Sequence, residues 1–186
     1  MSPAIGFRVW RIDEMLTGPR LASPHRHAAW LPGVPLKAEC KDESGALALA
    51  HPHRKQPGVS PPIEGCTCGI YAYHEANDMV DALTSRLVGG AVVAWGRITI
   101  HQEGFRAEFA RPLALCYQQM LVAGSTAISL ARVADVYRLP MIDAGHIAVF
   151  AAEFGESYLP LAEPSNDWTA RLGTSVRRVF STWFRG

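Results

Sequence analysis

The stretch from residue 40 to residue 73 constrains this chain most, because three of its four cysteines sit there within a run of structure breakers. Residues 41–65 carry Pro52, Pro57, Pro61 and Pro62 with Gly45, Gly58 and Gly65, and show no sustained helical or strand pattern beyond residues 46–50. A connection of that length inside a compact domain needs something to hold it closed. The spacing supplies a candidate: Cys40, twelve residues, His53, twelve residues, Cys66, one residue, Cys68, with His51 as the alternative imidazole. Thiolate and imidazole are the ligands zinc takes in four-coordinate structural sites, and a CxC pair on a tight turn directs two sulfurs at one ion. Four protein ligands leave no position for a reacting water, so such a zinc is structural; a shell lacking Cys40 or the histidine would admit water and a catalytic role. The competing reading makes these cysteines small buried hydrophobes beside a proline-rich loop. Spacing places His53 ahead of His51, and Cys116, which follows an apolar strand, reads as a core residue.

A chain of 186 residues buries a substantial core and suits one compact body, with an α+β part over 1–125 and a helical part over 126–186 packed on it. A net charge of +1 exerts no global pull toward nucleic acid or an anionic membrane, so any such binding needs a local patch. The N-terminus lacks the basic start and continuous apolar run of a secretory signal, and no stretch approaches the roughly eighteen apolar residues of a membrane span. A cytoplasmic protein with reduced or metal-bound cysteines is expected.

Alternation of apolar and basic residues over 7–12 predicts a first strand, and the Gly-Pro, Ser-Pro and Pro-Gly pairs over 16–35 predict an ordered loop pinned by Trp30. Residues 36–40 read as a short strand delivering Cys40. An amphipathic helix is predicted over 75–87, ended by Gly89-Gly90. Residues 91–101 and 105–115 form the clearest hairpin, joined by a turn over 102–104 whose glycine takes positive φ. Helices follow over 126–137 and 145–154, with a short buried strand at 139–142 between them. A last helix is capped within 165–167 and carries Trp168, Leu172, Val176, Val179, Phe180 and Trp183. The fold class expected is α+β: a small, mostly antiparallel sheet with helices on one side and a zinc-stabilised Cys/His loop.

Two further surfaces bear polar groups suited to binding. On the hairpin, Arg97, Thr99 and His101 lie across from Arg106 and Glu108, a set able to hold an anion or do acid–base chemistry, or else a solvated face laced with cross-strand ion pairs. On the last helix Arg171, Arg178 and Arg185 recur every seven residues beside an apolar face, a surface for a partner protein or a nucleic-acid backbone, or a terminal helix packed on its own domain. Residues 129–154 invite a helix-turn-helix reading, but the second helix is almost wholly apolar and looks buried, unlike one that reads base edges. No phosphate-binding glycine loop and no nucleophile or metalloprotease motif is present.

Phe7-Arg8-Val9-Trp10, Trp30-Leu31-Pro32-Gly33, Ala38-Glu39-Cys40, Cys66-Thr67-Cys68-Gly69-Ile70-Tyr71-Ala72, Trp95-Gly96-Arg97 and Gly104-Phe105-Arg106-Ala107-Glu108 together resemble a type of small bacterial and phage-borne protein of uncharacterised function. The likeness covers roughly residues 7–115 and, weakly, residues 130–140. It implies a recurrent module built round the cysteine loop and implies no activity. The expectation is a non-catalytic, zinc-stabilised binding or adaptor protein with a protein partner. A nucleic-acid-binding regulator using the basic last helix with Arg97, Arg106 and Arg111 is the alternative, and a metal-assisted hydrolase or nuclease using His101 and Glu108 the third.

Overall fold

The structure, a computed structural model, describes residues 3–24, 28–40, 60–84, 87–117 and 125–158. Its centre is three long strands: β1 (Ala4–Met15), β6 (Leu87–Ile100) and β7 (Gly104–Tyr117). Between them lie β2 (Gly18–Ala22), β3 (Ala29–Trp30), β4 (Leu36–Lys37), β5 (Ile70–Tyr73) and helix α1 (Ala76–Asp81). After β7 come α2 (Ser125–Tyr137), β8 (Met141–Asp143), α3 (Ile147–Ala152) and β9 (Glu156–Ser157). Among the described residues all nine strands join one sheet, antiparallel except where β8 pairs with β7 and β9 with β1.

The sheet closes on itself. β1 pairs with β6 from Ala4↔Ala94 to Arg11↔Leu87, β6 pairs with β7, β7 pairs with β5 from Ile70↔Ala107 to Tyr73↔Gly104, and Tyr73 returns to Phe7 of β1. Strands that serve two neighbours are apolar on both faces, and two cores result. Ala4 and Trp10 enter one with Leu21, Trp30, Phe105 and Leu115; Ile5, Phe7 and Val9 enter the other with Val93 and Leu113.

The helices therefore divide between two faces rather than gathering on one side. Leu130, Val133, Ala134 and Tyr137 of α2 pack into the Trp10 core, whereas Ala76 and Met79 of α1 and Ile147 and Ala151 of α3 pack into the Phe7 core. Burying both faces of β1 demands cover on both. The Tyr137 hydroxyl accepts a bond from Leu21 N–H at 2.9 Å and donates to the Trp30 carbonyl, which ties α2 to β2 and β3. Trp10 and Trp30 meet edge to face, ring centroids 5.5 Å apart.

Several local expectations yield to this pairing. Within the loop expected over 16–35, residues 18–22 instead form β2, a hairpin partner of β1, while Trp30 is fully buried as its pinning role requires. The helix expected over 75–87 stops at Asp81; Leu87 is a strand residue paired with β1, and Gly89 and Gly90 lie between β1 and β7. Sheet hydrogen bonds on two sides outweigh local helix propensity there. Gly104 is not left-handed; a Cβ on it would stand 2.1 Å from the Ala72 carbonyl oxygen, so close approach of β5 is what demands glycine. The helix expected over 145–154 spans only Ile147–Ala152 and is not wholly buried: Ile147 and Ala151, four apart, share the inward face, while Val149 is 70 % exposed. The last helix, with Arg171, Arg178 and Arg185, lies outside the described residues. Among the described residues no helix is long and apolar enough to cross a membrane.

Candidate metal centre

β4 and β5 lie end to end along one edge of β7, with Lys37 opposite Phe109 and Ile70 opposite Ala107. Ala38 N–H extends the first pairing to the Glu108 carbonyl at 2.7 Å. The chain thus leaves β7 after residue 38 and returns before residue 70 at the same place, so Cys40 meets Cys66 and Cys68. Their three sulfurs all lie within 4.8 Å of one another. Cys40 Sγ and Cys66 Sγ are 3.7 Å apart, close to the ~3.8 Å edge of a tetrahedron with zinc–sulfur bonds of about 2.3 Å. Three nearby cysteines could hold a metal ion. The proposed fourth ligands, His51 and His53, lie outside the described residues.

Local backbone geometry shapes the pair of thiols. Gly65 and Gly69 flank them with φ of 75° and 128°, Cys66 N–H bonds the Ile63 carbonyl at 3.2 Å, and Cys68 N–H points to Cys66 Sγ at 3.4 Å. At Gly69 a Cβ would also stand 2.9 Å from Arg106 Cβ, so the loop lies directly on β7. Burial, reinforced by Cys66 and Cys40, pushes the Cys68 thiol up to about 12. A bound cation reverses that balance, because coordination displaces the thiol proton. Cys116 packs in the Phe7 core, as its sequence context indicates, and burial raises its thiol to about 11.

The hairpin residues expected on one polar surface separate. Arg106 is only 6 % exposed and turns into the cysteine loop: Nη1 donates to the Cys66 carbonyl and, at 3.2 Å, to the Cys68 carbonyl, while Nε donates to His101 Nε2 at 2.8 Å. The guanidinium also lies 5.9 Å from the centre of the Tyr71 ring. His101 accepts through Nε2, and burial, then the charges of Arg106 and His74, lowers its basicity. Arg97 and Glu108 remain outside, joined by Arg97 N–H to Glu108 Oε2 at 3.3 Å where a bulge shifts the register after Trp95. Among the described residues hydrogen bonds, not the cross-strand ion pairs of the alternative reading, link these groups, because the cysteine loop covers this part of β7.

Three polar side chains, one buried and two partly buried, are held in ways the sequence does not report. Arg8 donates to the Tyr71 carbonyl and to Ser23 Oγ at 2.9 Å, lies 5.3 Å from the Trp30 ring centre, and is lowered to about 10 by burial. His74, 3 % exposed, donates through Nε2 to the His101 carbonyl at 2.8 Å. Glu103 in the hairpin turn has a buried Oε2 with no hydrogen-bond partner among the described residues, and burial, then the charge of Asp78, raises its pKa. Only the third carries even a faint signal, a carboxylate in a tight turn.

Glu103 yields a pH prediction. Its folded pKa exceeds its unfolded one, so the native state binds the extra proton between them and stability falls as pH rises through that window. Glu103→Gln should raise the thermal midpoint by about 2 °C at pH 7 and give no gain below about pH 4, read from melting curves across that range. An equal effect at both pH values would refute the assignment.

Comparison with known proteins adds no relative: no family model matches the chain, and no curated protein or solved structure matches it.

Proposed function

We propose that this chain is a non-catalytic binding or adaptor module whose 40–68 loop is fastened to the sheet by one zinc ion. Cys40, Cys66 and Cys68 supply three ligands and His53, or His51, the fourth. The supporting observation is the convergence of three sulfurs at the junction of β4 and β5. A shell of three thiolates and an imidazole is closed, which favours a structural over a catalytic ion. The engagement of His101 with Arg106 also weighs against an acid–base role for that histidine. Arg171, Arg178 and Arg185, on an amphipathic segment, are the residues proposed to meet a protein partner.

Elemental analysis of the purified full-length protein tests the metal. One zinc per chain is expected, lost in Cys66→Ser and in one of His53→Ala and His51→Ala; folded protein free of metal would sink the reading.

A second reading, a nucleic-acid-binding regulator, draws on one observation. Trp95 and Phe109 stack at 5.9 Å with an interplanar angle of 12°, Lys37 Nζ lies 5.7 Å from the Phe109 ring centre, and Arg97 and Arg111 are exposed nearby on the same strands. Aromatic rings beside cations suit single-stranded nucleic acid. Arg106 leaves that set because it is buried. Retention on DNA that falls steeply with salt and weakens in Arg97→Ala with Arg111→Ala would favour this reading, whereas partner capture lost on changing the last-helix arginines would favour the adaptor.

A further inference from the structure

Arg106 poses a charge problem that the described residues leave unsolved. The residue is only 6 % exposed, yet its partners are two carbonyls, an imidazole nitrogen and an aromatic face, with no carboxylate within ion-pairing distance among the described residues. An uncompensated buried charge is costly. The two carbonyls it holds belong to Cys66 and Cys68 themselves.

We infer that Arg106 is the positioning and charge-balancing residue of the three-cysteine centre, matched to a divalent cation held by three thiolates and one neutral ligand. This rests on the zinc reading above. Two positive charges on the ion and three negative thiolates leave the centre at minus one; a neutral imidazole adds nothing, and Arg106 brings the total to zero. The same guanidinium fixes the orientation of the CxC turn from behind, through both carbonyls. His101 holds the guanidinium in turn, and His74 holds the His101 backbone. A series of hydrogen-bonded residues therefore runs from His74, just before α1, to the carbonyls of Cys66 and Cys68.

The test compares Zn2+ affinity of the full-length protein, Arg106→Lys and Arg106→Met by competition with a colorimetric chelator, together with the stability of each metal-free form. Groups that orient metal ligands typically contribute about 10- to 100-fold in affinity. Arg106→Met should bind Zn2+ at least about tenfold more weakly, and Arg106→Lys, which keeps the charge and loses the fork, should recover part of that loss. Where the Met variant does not fold without metal, the Zn2+ concentration that refolds it gives the same comparison. Zinc affinity within about twofold of wild type in the Met variant, or a Lys variant as weak as Met, overturns the inference. Absence of Zn2+ uptake by the wild-type protein would instead overturn the metal reading on which it rests.

Discussion

Cys66→Ser should abolish tight zinc binding and cost on the order of 5 kcal/mol, a large fraction of the roughly 5–15 kcal/mol that holds a domain of this size together. Cys66 is 5 % exposed, stands 3.7 Å from Cys40 Sγ, and receives the Cys68 N–H, so its sulfur is the hub of the cluster. A serine hydroxyl is a poor zinc ligand at neutral pH, and its oxygen sits on a shorter bond than the sulfur it replaces. Without the ion, the connection between Cys40 and Cys66 regains its loop entropy. β4, only two residues long, would then be held to β7 by little more than its own pairing. Denaturant unfolding with and without a chelator measures this directly. Chelator should destabilise the wild-type protein and leave Cys66→Ser unmoved; a wild-type protein indifferent to chelator would remove metal from the account of stability.

The second large effect is expected far from the cysteines. Trp10→Ala should cost about 3–5 kcal/mol, because Trp10 is fully buried and fills the core shared by β1, β2, β7 and α2. Its edge-on contact with Trp30 is lost as well. Trp10 Nε1 has no hydrogen-bond partner among the described residues, so Trp10→Phe gives up volume without breaking a bond and should cost roughly half as much. Trp30→Ala opens the same space, and the double variant should lose less than the sum of the two. Urea unfolding of the four variants and the wild type checks the set. A cost below about 1 kcal/mol for Trp10→Ala would mean that the ring of strands is not closed over this residue.

Much of the fold is legible in the residues. The first strand, the hairpin, the 126–137 helix and the strand that delivers Cys40 follow from periodicity, since each repeats apolar residues at two or at three and four. The cysteine pattern singles out Cys40, Cys66 and Cys68, three residues that could hold a metal ion, and a mostly antiparallel sheet follows from the hairpin. The failures share one cause. Leu87 to Gly90 look like the end of a helix, and residues 18–22 look like loop, because their partners in β1 and β7 are distant in the chain and no local pattern reports them.

Arg106 states the division most sharply. By itself the sequence determined that three thiols and a breaker-rich loop would need a common anchor, because proline, glycine and cysteine carry their constraints within the residue. It also set the alternation that puts Phe105 and Ala107 on one face of β7 and Arg106 on the other. Only the tertiary structure decided that this second face would be covered, and by the cysteine loop, which arrives from 38 and 40 residues away to place its carbonyls on the guanidinium. Water or protein on the far side of a strand is settled by whichever segment docks there, and docking energy comes from contacts between residues that no local sequence window contains.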